Sequence, residues 1–343
     1  MFASNDDSGG GRFGFILMPE FSMIAFASAV EPLRLTNRVC DAPVFGCLSY
    51  SMDGEAVIAS NGMPVIVDGA IEDAEGLDAV FVCAGVDVHR YASKPLMARL
   101  RRLAQHGTAV GGICTGTLVL ARAGLLEDHR CTIHWGNVDG LIEEFPHLDV
   151  TQELFELDRK RWTCSGGTAP LDMMLNLIAQ RVSPPVAASI ADELIYHRIR
   201  EPGERQRMEL RSRIGVAHTK LLEVVETMEG ALEEPLSCTD LARDVGLSTR
   251  QLERLFRKYM GMTPTRYYLE LRLKRARFLL QQTSLPILSV GLACGFVSAS
   301  HFSKCYREHF QRTPSDERRP GGPGVVKVKA LFDVADAVGK RPA

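Results

Sequence analysis

At 343 residues, with 45% hydrophobic and 24% charged side chains, the chain has the composition of a soluble protein with room for two domains. Its polar, Gly-rich start argues against a signal peptide, and no apolar run approaches the roughly 20 residues of a membrane helix, so we expect a cytoplasmic protein without a membrane partner. The net charge of −2 conceals a balance of +8 in residues 236–319 and −10 elsewhere, which indicates that a basic C-terminal module contacts a polyanion.

The first 180 residues alternate strand-like and helix-like segments. Strand-like runs lie at 13–17, 79–83, 108–113 and 130–133, and helical stretches at 22–39, 96–106, 115–123, 170–182 and 184–199. This alternation predicts an α/β domain with a flavodoxin-like parallel sheet flanked by helices. We expect this domain to span residues 12–199, after a disordered start at 1–11.

The remainder of the chain has a different character. Residues 200–215 are polar and interrupted by Pro202-Gly203, which predicts a linker. Residues 216–319 show no strand signal and predict an all-α domain, followed by a flexible tail at 320–343. The nine cysteines include no C-x-x-C pair, so we expect reduced thiols and no metal site, and nothing in the sequence indicates a cofactor.

The predicted all-α domain contains an internal repeat. Two copies, about fifty residues apart, each have a helix, a tight turn at Gly246 or Gly295, and a second helix that ends before a Thr-Pro pair. This is the helix-turn-helix pattern, and its duplication favours DNA binding far more than a single helical hairpin does. The helix predicted between the copies, 265–282, is about 27 Å long, comparable to the ~34 Å between successive major-groove faces.

Each second helix of the repeat has an apolar stripe opposite a polar face. The predicted stripes are Leu252, Leu255, Phe256 and Tyr259 in the first copy and Phe302, Cys305, Tyr306 and His309 in the second. The polar faces offer donors suited to base edges and phosphates. The residues predicted to bind DNA are Ser248, Thr249, Arg250, Gln251, Arg254, Arg257, Ser298, Ser300, His301, Lys304 and Arg307.

This domain resembles the AraC/XylS family of regulators. The matching residues are Ile287, Ala293-Cys294-Gly295-Phe296, Phe302, Phe310 and Thr313-Pro314. The resemblance implies a homodimer that binds paired promoter sites in double-stranded DNA and activates transcription by RNA polymerase.

A second motif lies in the α/β domain, where the run Val110-Gly111-Gly112-Ile113-Cys114-Thr115-Gly116 turns sharply from strand to helix. It fits the G-x-nucleophile-x-G elbow, which lifts a side chain from the sheet onto a helix N-terminus. There we expect the helix dipole to lower the pKa of the Cys114 thiol. His134-Trp135 follows another strand-like run.

Residues 12–182 resemble the class I glutamine amidotransferase-like superfamily. The resemblance implies that Cys114 stands at the nucleophile position and His134 at the imidazole position. It also implies a backbone oxyanion donor at Gly85 and a pocket carboxylate at Glu31. The candidate ligand-binding residues are Glu31, Gly85, Cys114, Thr115, His134 and Trp135.

The catalytic set is incomplete. Thr115 stands where the peptidase branch of the superfamily has a histidine. In the amidotransferase branch a glutamate closely follows the histidine, whereas here Trp135 and Gly136 follow His134. Nucleophilic catalysis usually needs this third member, so we expect no catalytic residues. Plainer interpretations stay open for each residue: Cys114 as a small side chain that the elbow requires, His134 as a core imidazole, Trp135 as packing, and Glu31 as a surface helix residue.

Three classes of function fit these features to different degrees. The leading one is a ligand-responsive, sequence-specific regulator of a catabolic operon, whose degraded active site senses a small nitrogenous metabolite such as a betaine, carnitine or an amino acid; resemblance to AraC-type regulators with an amidotransferase-like sensor domain implies it. The alternative is a cysteine-dependent amidohydrolase or peptidase-like enzyme tethered to DNA, which the missing third residue disfavours. An architectural protein would bind DNA without sequence preference and would not need the α/β domain.

Overall fold

The computed structural model describes residues 10–283 and 285–318, which divide into two compact units after Gln206. Unit 1 ends at Gln206 and unit 2 begins at Arg207. The predicted terminal segments 1–11 and 320–343 lie outside the described residues, except for Gly10 and Gly11, of which Gly11 already begins the first strand. Within the described ranges, no helix combines the length and the apolar character that crossing a bilayer requires.

Unit 1 is an α/β domain. Its strands are β1 (Gly11–Leu17), β2 (Phe45–Ser51), β3 (Val57–Ile58), β4 (Pro64–Val65), β5 (Gly69–Ala70), β6 (Ala79–Cys83), β7 (Ala109–Ile113), β8 (Arg130–Thr132), β9 (Asp149–Thr151), β10 (Phe155–Asp158) and β11 (Arg161–Cys164). Its helices are α1 (Met23–Val39), α2 (Val88–Tyr91), α3 (Lys94–Gln105), α4 (Gly116–Arg122), α5 (Val138–Glu144), α6 (Ala169–Arg181) and α7 (Pro184–Glu193).

The main sheet has seven strands in the order β10-β11-β7-β6-β1-β2-β5. All neighbouring strands are parallel except β10 and β11, which form a hairpin. The predicted flavodoxin-like parallel sheet is therefore confirmed. After β1 the chain adds β2 on one side and later places β6 on the other, so the order reverses between β1 and β6. Ligands of such sheets bind in the crevice beyond the carboxyl ends of the strands at this reversal.

Both faces of the sheet are covered, and this explains why β6 reads as a continuous apolar run. On one face Phe15 and Phe81 stack with ring centroids 5.6 Å apart, and α1, α6 and α7 pack over them. On the other face Val80 and Val82 pack with apolar residues of α3, α4 and α5. The sheet thus holds the carboxyl ends of its central strands in fixed positions.

The segment after α6 differs from the prediction. The helix predicted over 184–199 ends at Glu193, because Ile195 adopts a left-handed φ of 54° and the hydroxyl of Tyr196 bonds back to Asp172 in α6. The predicted linker is also more ordered than expected: its first residues bind unit 1, and Leu210–Ile214 forms a short helix, α8.

Unit 2 is all-α. Its other helices are α9 (Thr219–Gly230), α10 (Cys238–Asp244), α11 (Thr249–Met260), α12 (Pro264–Gln282), α13 (Ile287–Ala293), α14 (Ala299–Phe310) and α15 (Pro314–Arg318). Two apolar clusters form its interior, one around Phe256 and one around Phe302. The helix α12 contributes Tyr268 to the first cluster and Leu273 to the second, so it joins two small bundles.

Candidate functional site

The two bundles of unit 2 are helix-turn-helix units. Helices α10 and α11 meet at Gly246, and α13 and α14 meet at Gly295, with φ of 63° and 73°. These left-handed values favour glycine, and at Gly295 an added Cβ would also lie 2.7 Å from the carbonyl oxygen of Leu232. The duplicated motif predicted from the sequence therefore has the expected geometry at both turns.

The second turn is one residue longer than the first. Leu247 alone separates the first glycine from the Ser248 cap of α11, whereas Phe296 and Val297 separate the second glycine from the Ser298 cap of α14. Val297 is 94% exposed, although it is apolar. The repeat is thus closely matched in its helices and differs in its turn.

The recognition faces of α11 and α14 are largely as predicted. Arg250, Arg254 and Arg257 are exposed on α11, and Ser300, Lys304 and Arg307 are exposed on α14. Opposite them, the largest side chains of both stripes are fully buried: Leu252, Phe256, Phe302 and Tyr306. Each helix therefore packs by one face and leaves its donors in solvent.

The predicted stripes are wrong at their C-terminal ends. Tyr259 and His309, which occupy equivalent positions of the two copies, are both exposed. Tyr259 contacts the ring of His218, with centroids 5.7 Å apart, and Lys258 lies over its face. The apolar stripe continues instead through the next residue of each helix, Met260 or Phe310, which packs against the apolar cluster of its bundle.

Some residues predicted to contact DNA have a local role. The hydroxyl of Ser248 accepts a hydrogen bond from the backbone of Gln251, and Oε1 of Gln251 accepts one from the backbone of Ser248, which completes a capping box. Ser298 caps α14 by accepting from the backbone of His301. Thr249 is half-buried. These residues therefore cap and start the helices α11 and α14, and a DNA contact by them stays a prediction.

The predicted elbow of unit 1 is present. Cys114 directly follows β7 and has a φ of 60°, a left-handed conformation that is uncommon outside glycine and concentrates at functional sites. Its backbone donates to the carbonyl oxygen of Cys164, and an added Cβ on Gly166 would lie 2.8 Å from its Sγ. The thiol is thus enclosed between the ends of β7 and β11.

The predicted activation of the Cys114 thiol is wrong. Burial raises the pKa of this thiol to about 11, and a backbone hydrogen bond from Thr115 lowers it only in part. Desolvation therefore outweighs this hydrogen bond, and the thiol stays protonated at neutral pH. Within the described residues, no hydrogen bond joins Cys114 to His134.

Gly85 and Thr115 are brought together at the same edge. The hydroxyl of Thr115 donates to the carbonyl oxygen of Gly85 at 2.7 Å, and Gly85 follows β6, the strand beside β7. Gly85 also pairs with Phe21 in a short antiparallel bridge. The elbow is therefore tied to the crevice between β1 and β6, where a ligand site is expected.

His134 and Trp135 lie just beyond β8, which the elbow helix holds in place. The hydroxyl of Thr117 in α4 donates to the carbonyl oxygen of Thr132 at 2.8 Å. Burial lowers the pKa of His134, and its Nδ1 accepts from the backbone of Gly136, so the ring is neutral with its proton on Nε2. The ring of Trp135 lies 5.2 Å from that of His134 and is 46% exposed.

Glu31 is not part of this group. Its carboxylate, 44% exposed, pairs with Arg34 at 2.6 Å along α1. Its charge also raises the pKa of Cys47, which pairs with Phe13 near the amino end of β1. The described hydrogen bonds and ion pairs of Glu31 therefore do not include Cys114, Gly85 or Thr115, and a pocket role for this carboxylate stays a prediction.

A different carboxylate occupies the expected edge. Glu20 follows the carboxyl end of β1, has a left-handed φ of 60°, and accepts a hydrogen bond from the backbone of Val86 at its own carbonyl. Burial raises its pKa, and the nearby Asp87 raises it further while Arg90 opposes the shift. The signal that sequence reasoning overlooked was its position directly after a buried strand, where parallel sheets hold their ligands.

Two sets of hydrogen bonds hold the end of unit 1, one to α6 and one to the segment before His134. The fully buried carboxylate of Asp172 accepts hydrogen bonds from the backbone and guanidinium of Arg200 and from Tyr196. Farther along, Nε2 of Gln206 lies 2.9–3.0 Å from the side-chain oxygen of Thr132 and from the carbonyl oxygens of Ile133 and Glu153. The chain that leaves unit 1 is therefore bonded to the strand that precedes His134.

Comparisons with known proteins agree with these two parts. Residues 241–320 match the model of a helix-turn-helix domain family, and residues 35–180 match that of the DJ-1/PfpI family. A ThiJ/PfpI family protein from Pseudomonas syringae superposes with a TM-score of 0.51 at 19% identity over 64% of this chain and 87% of that one. At this identity the likeness shows the fold of unit 1 alone.

Two relatives from Pseudomonas aeruginosa cover nearly the whole chain. The HTH-type transcriptional regulator GbdR (strain UCBPP-PA14) is 44% identical over 94% of this chain and 88% of its own length. The HTH-type transcriptional regulator CdhR (strain PAO1) is 46% identical over 89% of this chain and 91% of its own length. Both are regulators rather than enzymes. The chain therefore belongs to the AraC family of DNA-binding transcriptional regulators, in the group whose N-terminal domain is of the DJ-1/PfpI, glutamine amidotransferase-like type.

Proposed function

We propose that this regulator is a cytoplasmic, ligand-responsive activator that binds paired promoter sites as a homodimer and recruits RNA polymerase to a catabolic operon. The observation that supports the proposal most directly is the pair of helix-turn-helix units with exposed basic faces. An α/β domain whose sheet order reverses between β1 and β6, with a protonated thiol at the elbow, suits a sensor better than a catalyst.

The two recognition helices α11 and α14 would enter successive major grooves on one side of the DNA. The helix α12 that joins their bundles has 19 residues, so it spans about 28 Å, close to the ~34 Å helical repeat. Arg254 and Lys304 occupy equivalent positions of the repeat and are exposed. An arginine there suits bidentate contact with guanine, and the lysine suits a guanine or a phosphate.

The effector would bind at the carboxyl ends of β1, β6 and β7. We favour a small nitrogenous metabolite such as a betaine, carnitine or an amino acid. A trimethylammonium group is attracted to an aromatic face and to a carboxylate. Trp135 would supply an exposed aromatic ring and Glu20 the carboxylate, and Gly85, Cys114 and Thr115 would be further ligand contacts.

Effector binding would change how two subunits present their DNA-binding units, rather than build the DNA-binding surface. Each helix-turn-helix unit has its own apolar cluster, so the surface needs no ligand to form. The hydrogen bonds of Arg200 and Gln206 give the pocket a connection to the chain that enters unit 2. Coupling of this kind alters the effective concentration of the paired units on DNA.

Footprinting the full-length chain and a fragment of residues 207–343, with and without effector, tests the proposal. The effector is chosen beforehand by a thermal-shift screen of glycine betaine, carnitine and arginine, because a ligand that prefers the native state raises the melting temperature. The fragment begins at Arg207 so that it keeps the Arg213–Glu229 ion pair of α8 and α9. We expect the fragment to bind weakly and without regard to effector, and the full chain to bind more tightly and to activate transcription only with it.

A fragment whose binding depends on effector would overturn this model of coupling, and so would a folded fragment without affinity for DNA. A full-length chain that binds all sequences equally would overturn the proposed function itself.

A further inference from the structure

Unit 2 contains an open cleft beside the first recognition helix. It measures about 550 Å³ and is lined by Ala217, His218, Thr219, Lys220, Leu247, Gln251, Arg254 and Leu255. These residues come from the start of α9 and the two residues before it, from the N-terminal half of α11, and, for Leu247, from the turn before α11. We call this space the α9–α11 cleft.

The charged side chains that line the α9–α11 cleft are all basic. Lys220 and Arg254 contribute two cations to its lining, and none of its lining residues is acidic. Arg254 is exposed and makes no ion pair or hydrogen bond within residues 10–283 and 285–318. Nζ of Lys220 donates to the carbonyl oxygen of Gly246 at 3.3 Å, which leaves further donors of this ammonium group for a ligand. The cleft therefore suits an anion.

The position of the cleft identifies the anion. A helix with its side chains is roughly 10–12 Å wide and fills a major groove about 12 Å wide, so groups immediately beside a recognition helix meet the phosphates that border the groove. Lys220 lies beside α11 and is bonded to the turn that precedes it. Gln251 and Arg254, on the same wall, belong to the face that would enter the groove.

We infer that the α9–α11 cleft binds a backbone phosphate of the DNA at the edge of the first half-site, with Lys220 as its main cationic contact. The inference rests on the proposed function, since it assumes that α11 enters the major groove. It extends the DNA-binding surface to a helix outside both helix-turn-helix units. Lys220 would position the unit on DNA without reading sequence, while Arg254 at the rim would read a base.

The test compares Lys220→Gln, Lys220→Arg and the control Lys94→Gln in the full-length chain. Lys94 is an exposed lysine on α3 of unit 1, so the control removes the same charge elsewhere. The probes are a duplex that the wild-type chain selects from a random library and an unselected duplex of the same length. Affinity is measured over a series of salt concentrations, and melting temperatures check that each variant is folded.

For Lys220→Gln we expect an about tenfold loss of affinity on both duplexes, because a charge-assisted phosphate contact does not depend on sequence. We also expect the slope of log affinity against log salt to become shallower by about 0.9, the value for one phosphate. Lys220→Arg should restore both quantities, and Lys94→Gln should leave them unchanged.

An unchanged salt slope in Lys220→Gln would overturn the inference, and so would a loss confined to the selected duplex, which would make Lys220 a base contact. If the wild-type chain selects no sequence at all, the proposed function fails before the cleft is tested.

Discussion

The side-chain amide of Gln206 lies 3.0 Å from the carbonyl oxygen of Ile133, the residue that precedes His134. Gln206 is the last residue of unit 1, and Ile133 is fully buried. The chain that leads to the DNA-binding unit is therefore bonded directly to the segment that carries the aromatic pair of the candidate pocket.

Replacing Gln206 by alanine should loosen this segment. Three oxygens around Nε2 lose their shared donor, so amides of residues 130–135 should exchange with solvent faster. The matched control is Gln180→Ala, which removes an exposed amide that donates to Asn176 along α6. Hydrogen exchange measured by mass spectrometry checks the result. Equal exchange of residues 130–135 in both variants would show that Gln206 does not hold this strand.

Arg254→Ala should weaken binding to the selected DNA by roughly 1–3 kcal/mol and relax sequence preference at one base position, because a bidentate arginine contact discriminates between bases. Library selection with the variant measures the preference directly. The control is Arg102→Ala on α3, which removes an exposed arginine of unit 1. A loss that is uniform over all sequences would reassign Arg254 to a phosphate, and no loss would refute the docking of α11.

Cys114→Ser should leave DNA affinity unchanged. We also expect neither the wild type nor this variant to turn over amide or ester substrates, because the wild-type thiol is protonated. Its pKa of about 11 predicts slow alkylation by iodoacetamide at pH 7, with a rate that rises tenfold per pH unit until the pH approaches that value. Mass spectrometry of the modified peptide measures the rate. Fast labelling at pH 7, or turnover that the serine variant loses, would show that the elbow retains an active nucleophile.

His134 should make the protein less stable in mild acid. Burial lowers the pKa of the folded imidazole below the ~6.5 of an unfolded histidine, so in mild acid the unfolded state binds the extra proton. Its contribution to the free energy of unfolding is therefore complete above the unfolded pKa and falls as the pH decreases through it. Urea unfolding between pH 7.5 and 5.5 should show a smaller loss for His134→Gln than for the wild type, whereas His197→Gln, at an exposed position, should lose as much as the wild type.

The architecture could be predicted from the sequence because it depends on patterns that local physics produces. The alternation of strand-like and helix-like segments predicted the parallel sheet, and the repeated glycine turns predicted both helix-turn-helix units. The stripe positions at Tyr259 and His309 failed by one residue, because at 3.6 residues per turn the buried face passes to Met260 and Phe310 at the end of each helix.

The candidate pocket was harder to predict. Resemblance indicated Cys114 and Gly85, and the structure brings their segments together through Thr115. Glu20 was missed because only the sheet topology shows that it stands at the carboxyl ends of the strands, whereas Glu31 pairs with Arg34 along α1. The thiol pKa likewise depends on how deeply the elbow is buried, which spacing along the chain does not reveal.

The hydrogen bonds of Gln206 also limit the length of free chain between the two units. Only residues 207–209 lie between Gln206 and the start of α8 at Leu210, and three extended residues reach at most about 11 Å. We therefore expect a displacement of the Ile133 backbone to reach α8, because so short a segment can absorb little motion. A Gly-Ser insert after Gln206 would make this segment longer and more flexible. We expect the variant to bind effector and to bind DNA, but its DNA binding should no longer respond to effector.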